Sequence, residues 1–229
     1  MRVHIAVYKI IMVIALAAWF PSMAFAMTPA QVYEAVKDSV VVVMVGDKQR
    51  RLVGQGSGVV LPSGDIITNY HVVKGGAMYT VGRGQQGTHT IATLKWVHPD
   101  KDLCLLSAPG LTAKPVRLGK AAWLKVGDPV YAVGAPQGLE LSLSEGIVSQ
   151  LRGGPPPTIQ TTAAISPGSS GGGLFNAKGE LVGIITYYLK GGQGLNFALP
   201  VEWISQGGAR KIRERPRGEA APFRLQGMP

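Results

Sequence analysis

An all-β domain of barrel or sandwich type is the fold class predicted for this chain, on two observations. Beyond residue 40 the sequence is a succession of short apolar or β-branched runs, divided by glycine and proline turns at the spacing such folds show. A single cysteine, Cys104, excludes an intrachain disulfide, so the fold must stand on its core, and 46% hydrophobic residues supply the material for one.

Taken in order, residues 1–26 read as a secretory signal: Arg2 and Lys9, an apolar run over 10–20, then Ala24-Phe25-Ala26 as a small-x-small cleavage site. The apolar run falls short of the ~20 residues a spanning helix needs, so export without stable membrane insertion is expected. Residues 27–208 are read as one domain. Thr28-Pro29 opens a short helix, with threonine as N-cap, proline in the first turn and Val32, Tyr33 and Val36 on one face. Strands are expected at 40–45, at 56–61 and 65–69 around a Pro62-Ser63-Gly64 turn, and at 78–81, 90–97 and 103–107. A second set follows at 129–133, 141–151, 158–162, 173–175, 181–188 and 195–198, the two sets meeting near 121–127. The stretch 152–157 is a short Gly/Pro loop, and 201–211 reads as a helix that turns Trp203 and Ile204 inward. Cys104, Trp96, Trp123 and Trp203 are expected to be packing residues.

The net charge of +10 falls to +8 when Arg2 and Lys9 leave, and much of the excess lies in 209–229. Arg210, Lys211, Arg213, Arg215, Arg217 and Arg224 there face only Glu214 and Glu219, and Pro216 and Pro222 break any long helix, so the tail reads as solvated and disordered. Basic tails can touch phosphates or anionic membranes, but no recognition motif accompanies this one, and no nucleic-acid partner is expected.

Chemistry concentrates in Ser166-Pro167-Gly168-Ser169-Ser170-Gly171-Gly172-Gly173-Leu174. A serine attacks a carbonyl only when a base takes its proton and donors await the oxyanion, and flanking glycines permit the close backbone approach this requires. The same residues also suit a plain turn, and Gly168-x-Ser170-x-Gly172 fits the elbow of α/β-hydrolases. That second fold places its histidine after the serine, whereas His4, His71, His89 and His98 all precede Ser170. The order left is histidine, aspartate, serine. His71 closes the strand-like run 66–69, where a base is held yet exposed. His4 leaves with the signal, His89 lies in a polar loop, and His98 is assigned to a surface turn. Asp102, rather than Asp100 of the preceding turn, stands at the mouth of an apolar strand, where a carboxylate can orient an imidazole. No H-E-x-x-H, Cys/His cluster or calcium-loop pattern occurs, and no metal or other cofactor is expected.

Thr68-Asn69-Tyr70-His71-Val72-Val73, Asp102-Leu103-Cys104-Leu105-Leu106 and the Ser166–Gly172 stretch, with Gly56-Ser57-Gly58 before and Asn196-Phe197-Ala198-Leu199-Pro200 after, resemble the HtrA/Deg branch of trypsin-like serine proteases. The resemblance covers residues 28–205. It implies two six-stranded antiparallel β-barrels with short N- and C-terminal helices and a cleft between the barrels. Carried over, it makes His71 the general base, Asp102 its orienting partner, Ser170 the nucleophile, and the N–H groups of Gly168 and Ser170 the oxyanion hole. A specificity pocket is expected from Ile165, Thr186, Tyr187 and Asn196. Ala164 stands where an aspartate would select a basic residue, so a small or medium aliphatic residue is expected before the scissile bond. The implied activity is exported, periplasmic or secreted, endoproteolysis of unfolded or misfolded proteins, and homotrimers are common in the family. Ser169 replaces the asparagine usual before the nucleophile, and only 24 residues follow Ser205, too few for the PDZ domains such proteins usually carry. The alternative is a protease-fold binding or chaperone-like module with little turnover.

Overall fold

The computed structural model describes residues 26–84, 87–136, 140–188, 195–205 and 210–211, with 187–188 and 210–211 described through their backbone. All of the predicted signal over 1–26 except Ala26, and the tail beyond 211, lie outside these residues. Helix α1 (Pro29–Val36) begins as its sequence dictates. Thr28 Oγ1 accepts from the Gln31 N–H at 3.3 Å while Gln31 Oε1 accepts from the Thr28 N–H at 2.9 Å, a reciprocal capping box. Val32 and Val36 are the face it buries.

Two closed six-stranded antiparallel barrels follow. The first consists of β1 (Val40–Gly46), β2 (Leu52–Val60), β3 (Ile66–Thr68), β4 (Met78–Gly82), β5 (His89–His98) and β6 (Leu103–Ser107), and the pairing of β5 with β6 closes it. A two-residue strand β7 (Arg117–Leu118) lies in the link to the second barrel and runs parallel to one of its strands. That barrel consists of β8 (Pro129–Gly134), β9 (Ser142–Arg152), β10 (Thr158–Thr161), β11 (Gly173–Asn176), β12 (Glu180–Tyr188) and β13 (Asn196–Pro200), closed by β11 against β12. The expected architecture and strand succession are therefore present.

Strand β1 is buried along its whole length because both of its faces are covered. Val41, Val43 and Val45 pack inside the first barrel with Val60, Ile66, Val81 and Leu106. Val42 and Met44 face the other way, onto Ala135 of the second. An unbroken apolar run in place of an alternating one is the sequence signature of such a strand. Between the barrels, Val59, Ile67, Leu103 and Leu105 of the first join Val133, Phe175, Leu181 and Ile184 of the second, under the Val32 and Val36 face of α1. The interior of the second barrel is a separate cluster around Val130, Val148, Ile159, Leu174 and Ile185.

Five expectations need correction. The C-terminal helix is a single 3-10 turn over Val201–Ile204, since Gly207-Gly208 follow and glycine pairs oppose helix propagation. Arg210–Lys211, expected as disordered tail, form a short strand β14 on the edge of β5, opposite Val97 and Trp96. Trp123 is 70% exposed, with the Lys120 ammonium over its ring, whereas Trp96 and Trp203 do pack against the interbarrel core. His98 is not on the surface: it ends β5 and is buried, while His89 begins the same strand and bonds the Gly84 carbonyl.

Candidate active site

The first barrel builds an acid and base pair from two adjacent strand exits. After β3, Asn69 remains extended and the chain turns into the one-turn helix α2 (Tyr70–Val73), which carries His71. From β5, a 3-10 turn over Pro99–Lys101 ends at Asp102, whose φ of 50° and ψ of 41° put it in the left-handed region, immediately before β6. A non-glycine residue there costs about 1–2 kcal/mol, least for Asp and Asn, and persists only where its surroundings determine it. They do so here. The Asp102 carbonyl accepts from the Tyr70 N–H at 3.1 Å and from Asn69 Nδ2 at 3.0 Å. Its Oδ1 accepts from the His71 N–H at 2.8 Å, and its Oδ2 bonds His71 Nδ1 at 2.7 Å and the Thr186 hydroxyl at 2.9 Å. A carboxylate is acceptor only, so the Nδ1 of neutral His71 carries the ring proton and its Nε2 presents a lone pair. The His71 side chain is 48% exposed and can meet a substrate.

The second barrel supplies the loop between β10 and β11. Ser170 hangs there from the peptide that follows it: its carbonyl accepts from the Ser57 N–H at 2.8 Å, while the next residue, Gly171, donates to the Ile185 carbonyl at 2.8 Å. Gly171 has φ +86°, and a Cβ on it would stand 2.1 Å from the Ser57 carbonyl oxygen, so only glycine fits between the barrels there. Among the described residues, neither the Gly168 nor the Ser170 N–H donates a hydrogen bond, although Gly168, at φ +94°, sits in a turn where its neighbour Ser169 does.

The structure brings His71 and Asp102 into contact and hangs Ser170 from Ser57 of the barrel that carries them, but it does not join Ser170 to His71. The Ser170 hydroxyl donates to the Thr186 carbonyl at 2.9 Å. Thr186 thus touches both halves, with its carbonyl on Ser170 and its hydroxyl on Asp102. This differs from its expected place in a pocket wall, and nothing in its local sequence marks the role, which depends on a contact 84 positions away. Asn69, part of the Thr68–Val73 motif but assigned no role from it, holds the Asp102 carbonyl through its side-chain amide. Of the other expected pocket residues, Ile165 and Asn196 are buried and the side chain of Tyr187 lies outside the described residues.

Cys104, on β6 two residues beyond Asp102, is fully buried, and that burial, with the nearby Asp102 charge, pushes its thiol far above the ordinary range. It is packing, not a nucleophile. Among the described residues no group of three or more His, Cys, Asp or Glu side chains could hold a metal ion, and no helix is long and apolar enough to cross a membrane.

Residues 56–184 match the model of the trypsin-like peptidase domain. A Pseudomonas putida protein named "Probable periplasmic serine endoprotease DegP-like" is 41% identical over 166 residues, which cover 69% of this chain and 35% of that protein. "Protease Do-like 1, chloroplastic" of Arabidopsis thaliana is 39% identical, over 66% of this chain and 38% of its own. Among solved structures, a serine endoprotease from Yersinia pestis superposes with a TM-score of 0.70 at 29% identity, covering 79% of this chain and 65% of that one. The HtrA-type protease AlgW, solved with a tripeptide, gives 0.69 at 31% identity, over 77% and 60% of the two chains. The chain spans about a third of the length of the curated relatives it matches, 35% in the first case above.

Proposed function

This chain belongs to the trypsin-like peptidase family, with DegP and HtrA proteases among its relatives, and from that premise we propose that it is a serine endopeptidase acting on unfolded polypeptides after export. The observation that carries the reading is the fully bonded Asp102–His71 pair, hung beside a serine whose neighbouring Gly168 and Ser170 amides donate to nothing among the described residues. In the working complex, Ser170 Oγ leaves the Thr186 carbonyl by rotation about its Cα–Cβ bond and gives its proton to His71 Nε2 as it attacks the peptide carbon. Asp102 stabilises the imidazolium without taking its proton, and the Gly168 and Ser170 N–H groups receive the oxyanion. His71 then protonates the leaving amine, and water, activated by the same imidazole, hydrolyses the acyl-enzyme.

The resting hydroxyl is thus parked on a backbone acceptor, and engagement of the substrate must accompany its release. Apolar Ile165 and the small Ala164 before the nucleophile loop support a small or medium aliphatic residue at the cleavage site. The periplasmic name of the Pseudomonas relative and the signal-like first residues support export to the periplasm. Assembly as a homotrimer is proposed on family resemblance alone. The test is degradation of casein together with fluorophosphonate labelling, on wild type and Ser170→Ala. Loss of both in the variant is expected; equal cleavage by the two proteins refutes the reading.

A further inference from the structure

We propose that Ser57 is a positioning residue for the nucleophile loop: its hydroxyl holds the Gly168 carbonyl and its N–H holds the Ser170 carbonyl, which fixes the Gly168–Ser169 and Ser170–Gly171 peptides on either side of the peptide that presents the Ser170 N–H to an oxyanion. The inference rests on the endopeptidase reading and adds to it a residue of the first barrel. Gly168, at φ +94° and without a Cβ, has little intrinsic resistance to rotation of its flanking peptides, so the orientation of the Gly168–Ser169 peptide that leads to the nucleophile must be imposed by its contacts. The Ser169 N–H, bonded to the Ser166 carbonyl at 3.0 Å, holds this peptide within the loop, and the contact that ties it to the first barrel is the Ser57 hydroxyl, which donates to the Gly168 carbonyl at 2.8 Å.

That donor has one direction available to it. Ser57 Oγ accepts from the Ala135 N–H at 2.9 Å, which occupies a lone pair and turns the hydroxyl proton toward Gly168. The backbone of Ser57 is committed as well: its N–H donates to the Ser170 carbonyl at 2.8 Å and its carbonyl accepts from the Thr68 hydroxyl at 2.7 Å. Ser57 is completely buried, so no water can stand in for its hydroxyl. It lies on β2 in the first barrel, while Ala135 follows β8 and Gly168 precedes the nucleophile in the second. One side chain therefore ties the end of β8 to the loop, and the same residue's N–H fixes the peptide that follows the nucleophile. Glycine at 56 keeps the approach open, since a Cβ there would stand 3.0 Å from the Ser170 carbonyl oxygen.

The experiment is the saturation kinetics of fluorophosphonate labelling for wild type, Ser57→Ala, Ser57→Cys and Ser170→Ala, well below each protein's melting temperature and normalised to folded protein. Ser57→Ala is expected to lower the maximal labelling rate by roughly 10- to 100-fold, less than or comparable to deletion of an oxyanion donor. The half-saturating probe concentration and the pH profile of labelling are expected to stay as in wild type, because His71 and Asp102 are untouched. Ser57→Cys, which keeps the packing and offers a weak S–H donor, is expected to fall between the two, and it carries the test if the alanine variant does not fold. A residue that serves only the fold would lower the melting temperature and leave the maximal rate of the folded protein unchanged. That outcome, in either variant, overturns the inference. If wild type is labelled no faster than Ser170→Ala, the endopeptidase reading itself fails and the inference goes with it.

Discussion

The two barrels contribute unlike halves to one site. In the first, Asp102 and His71 are assembled at rest: the aspartate bonds the ring, the peptide N–H and the segment before it, and bears a left-handed backbone to do so. In the second, the loop bearing Ser170 is held through its backbone, and the reactive hydroxyl points at a carbonyl and not at the base. In the proposed mechanism proton handling needs fixed orientation, which neighbouring strand exits provide, whereas the attacking serine needs one rotatable bond and can be parked. Thr186 is the element through which the halves meet.

That contrast can be broken at four places, in descending order of expected effect. Asp102→Asn keeps a side chain that tolerates the left-handed backbone but can donate to Nδ1, which stabilises the wrong tautomer; by analogy with other triads, turnover should fall ~10³–10⁴-fold with little change in melting temperature. A casein or fluorophosphonate assay beside thermal unfolding checks both. Gly171→Ala strikes the nucleophile half alone. With φ +86° and the Ser57 carbonyl in the way, the loop must shift, and labelling should drop at least ~100-fold, with a stability loss of about 2 kcal/mol or more in urea unfolding. Thr186→Val removes the hydroxyl from Asp102 and keeps the carbonyl that holds Ser170. Hydrogen bonds to charged groups contribute about 1.5–3 kcal/mol, so a fall in kcat of roughly 10- to 100-fold with unchanged KM is expected, and an unchanged kcat would show the bond to be idle. The smallest effect concerns the fold around the pair: Cys104, its thiol pushed up by burial, should resist iodoacetamide at pH 8 in native protein and react readily once unfolded. Rapid labelling of the native form would show that the first barrel opens far more easily than its packing implies.

What could be read from the sequence follows the range of the interactions concerned. The N-cap at Thr28, the hairpin about Pro62-Ser63-Gly64 and the unbroken apolar β1 are local and were legible. So was the pairing of His71 with Asp102, because the order of the motifs carried it. Ser57 and Thr186 were not. Each acts on a partner far along the chain, 111 positions for Ser57 and Gly168, and a serine between glycines or a threonine in a strand looks the same whether or not it does so. The overextended C-terminal helix had a legible objection in Gly207-Gly208 that apolar spacing around Trp203 outweighed. Strands β7 and β14 are two residues long and exist only by pairing with strands already formed, a cue absent from their own residues.

The strands of the first barrel are contiguous, from Val40 to Ser107, and its closing pair β5 and β6 are neighbours in sequence. Synthesis from the N-terminus therefore delivers every strand of that barrel, with His71 and Asp102, some sixty positions before Ser170 is added. A partly made chain carries both members of the proposed proton-transfer pair before it carries the proposed nucleophile, or the Thr186 hydroxyl that bonds Asp102. On the proposed mechanism the capacity to cut waits for the second barrel, which covers Val42 and Met44 of β1 and seats Ser170 against Ser57.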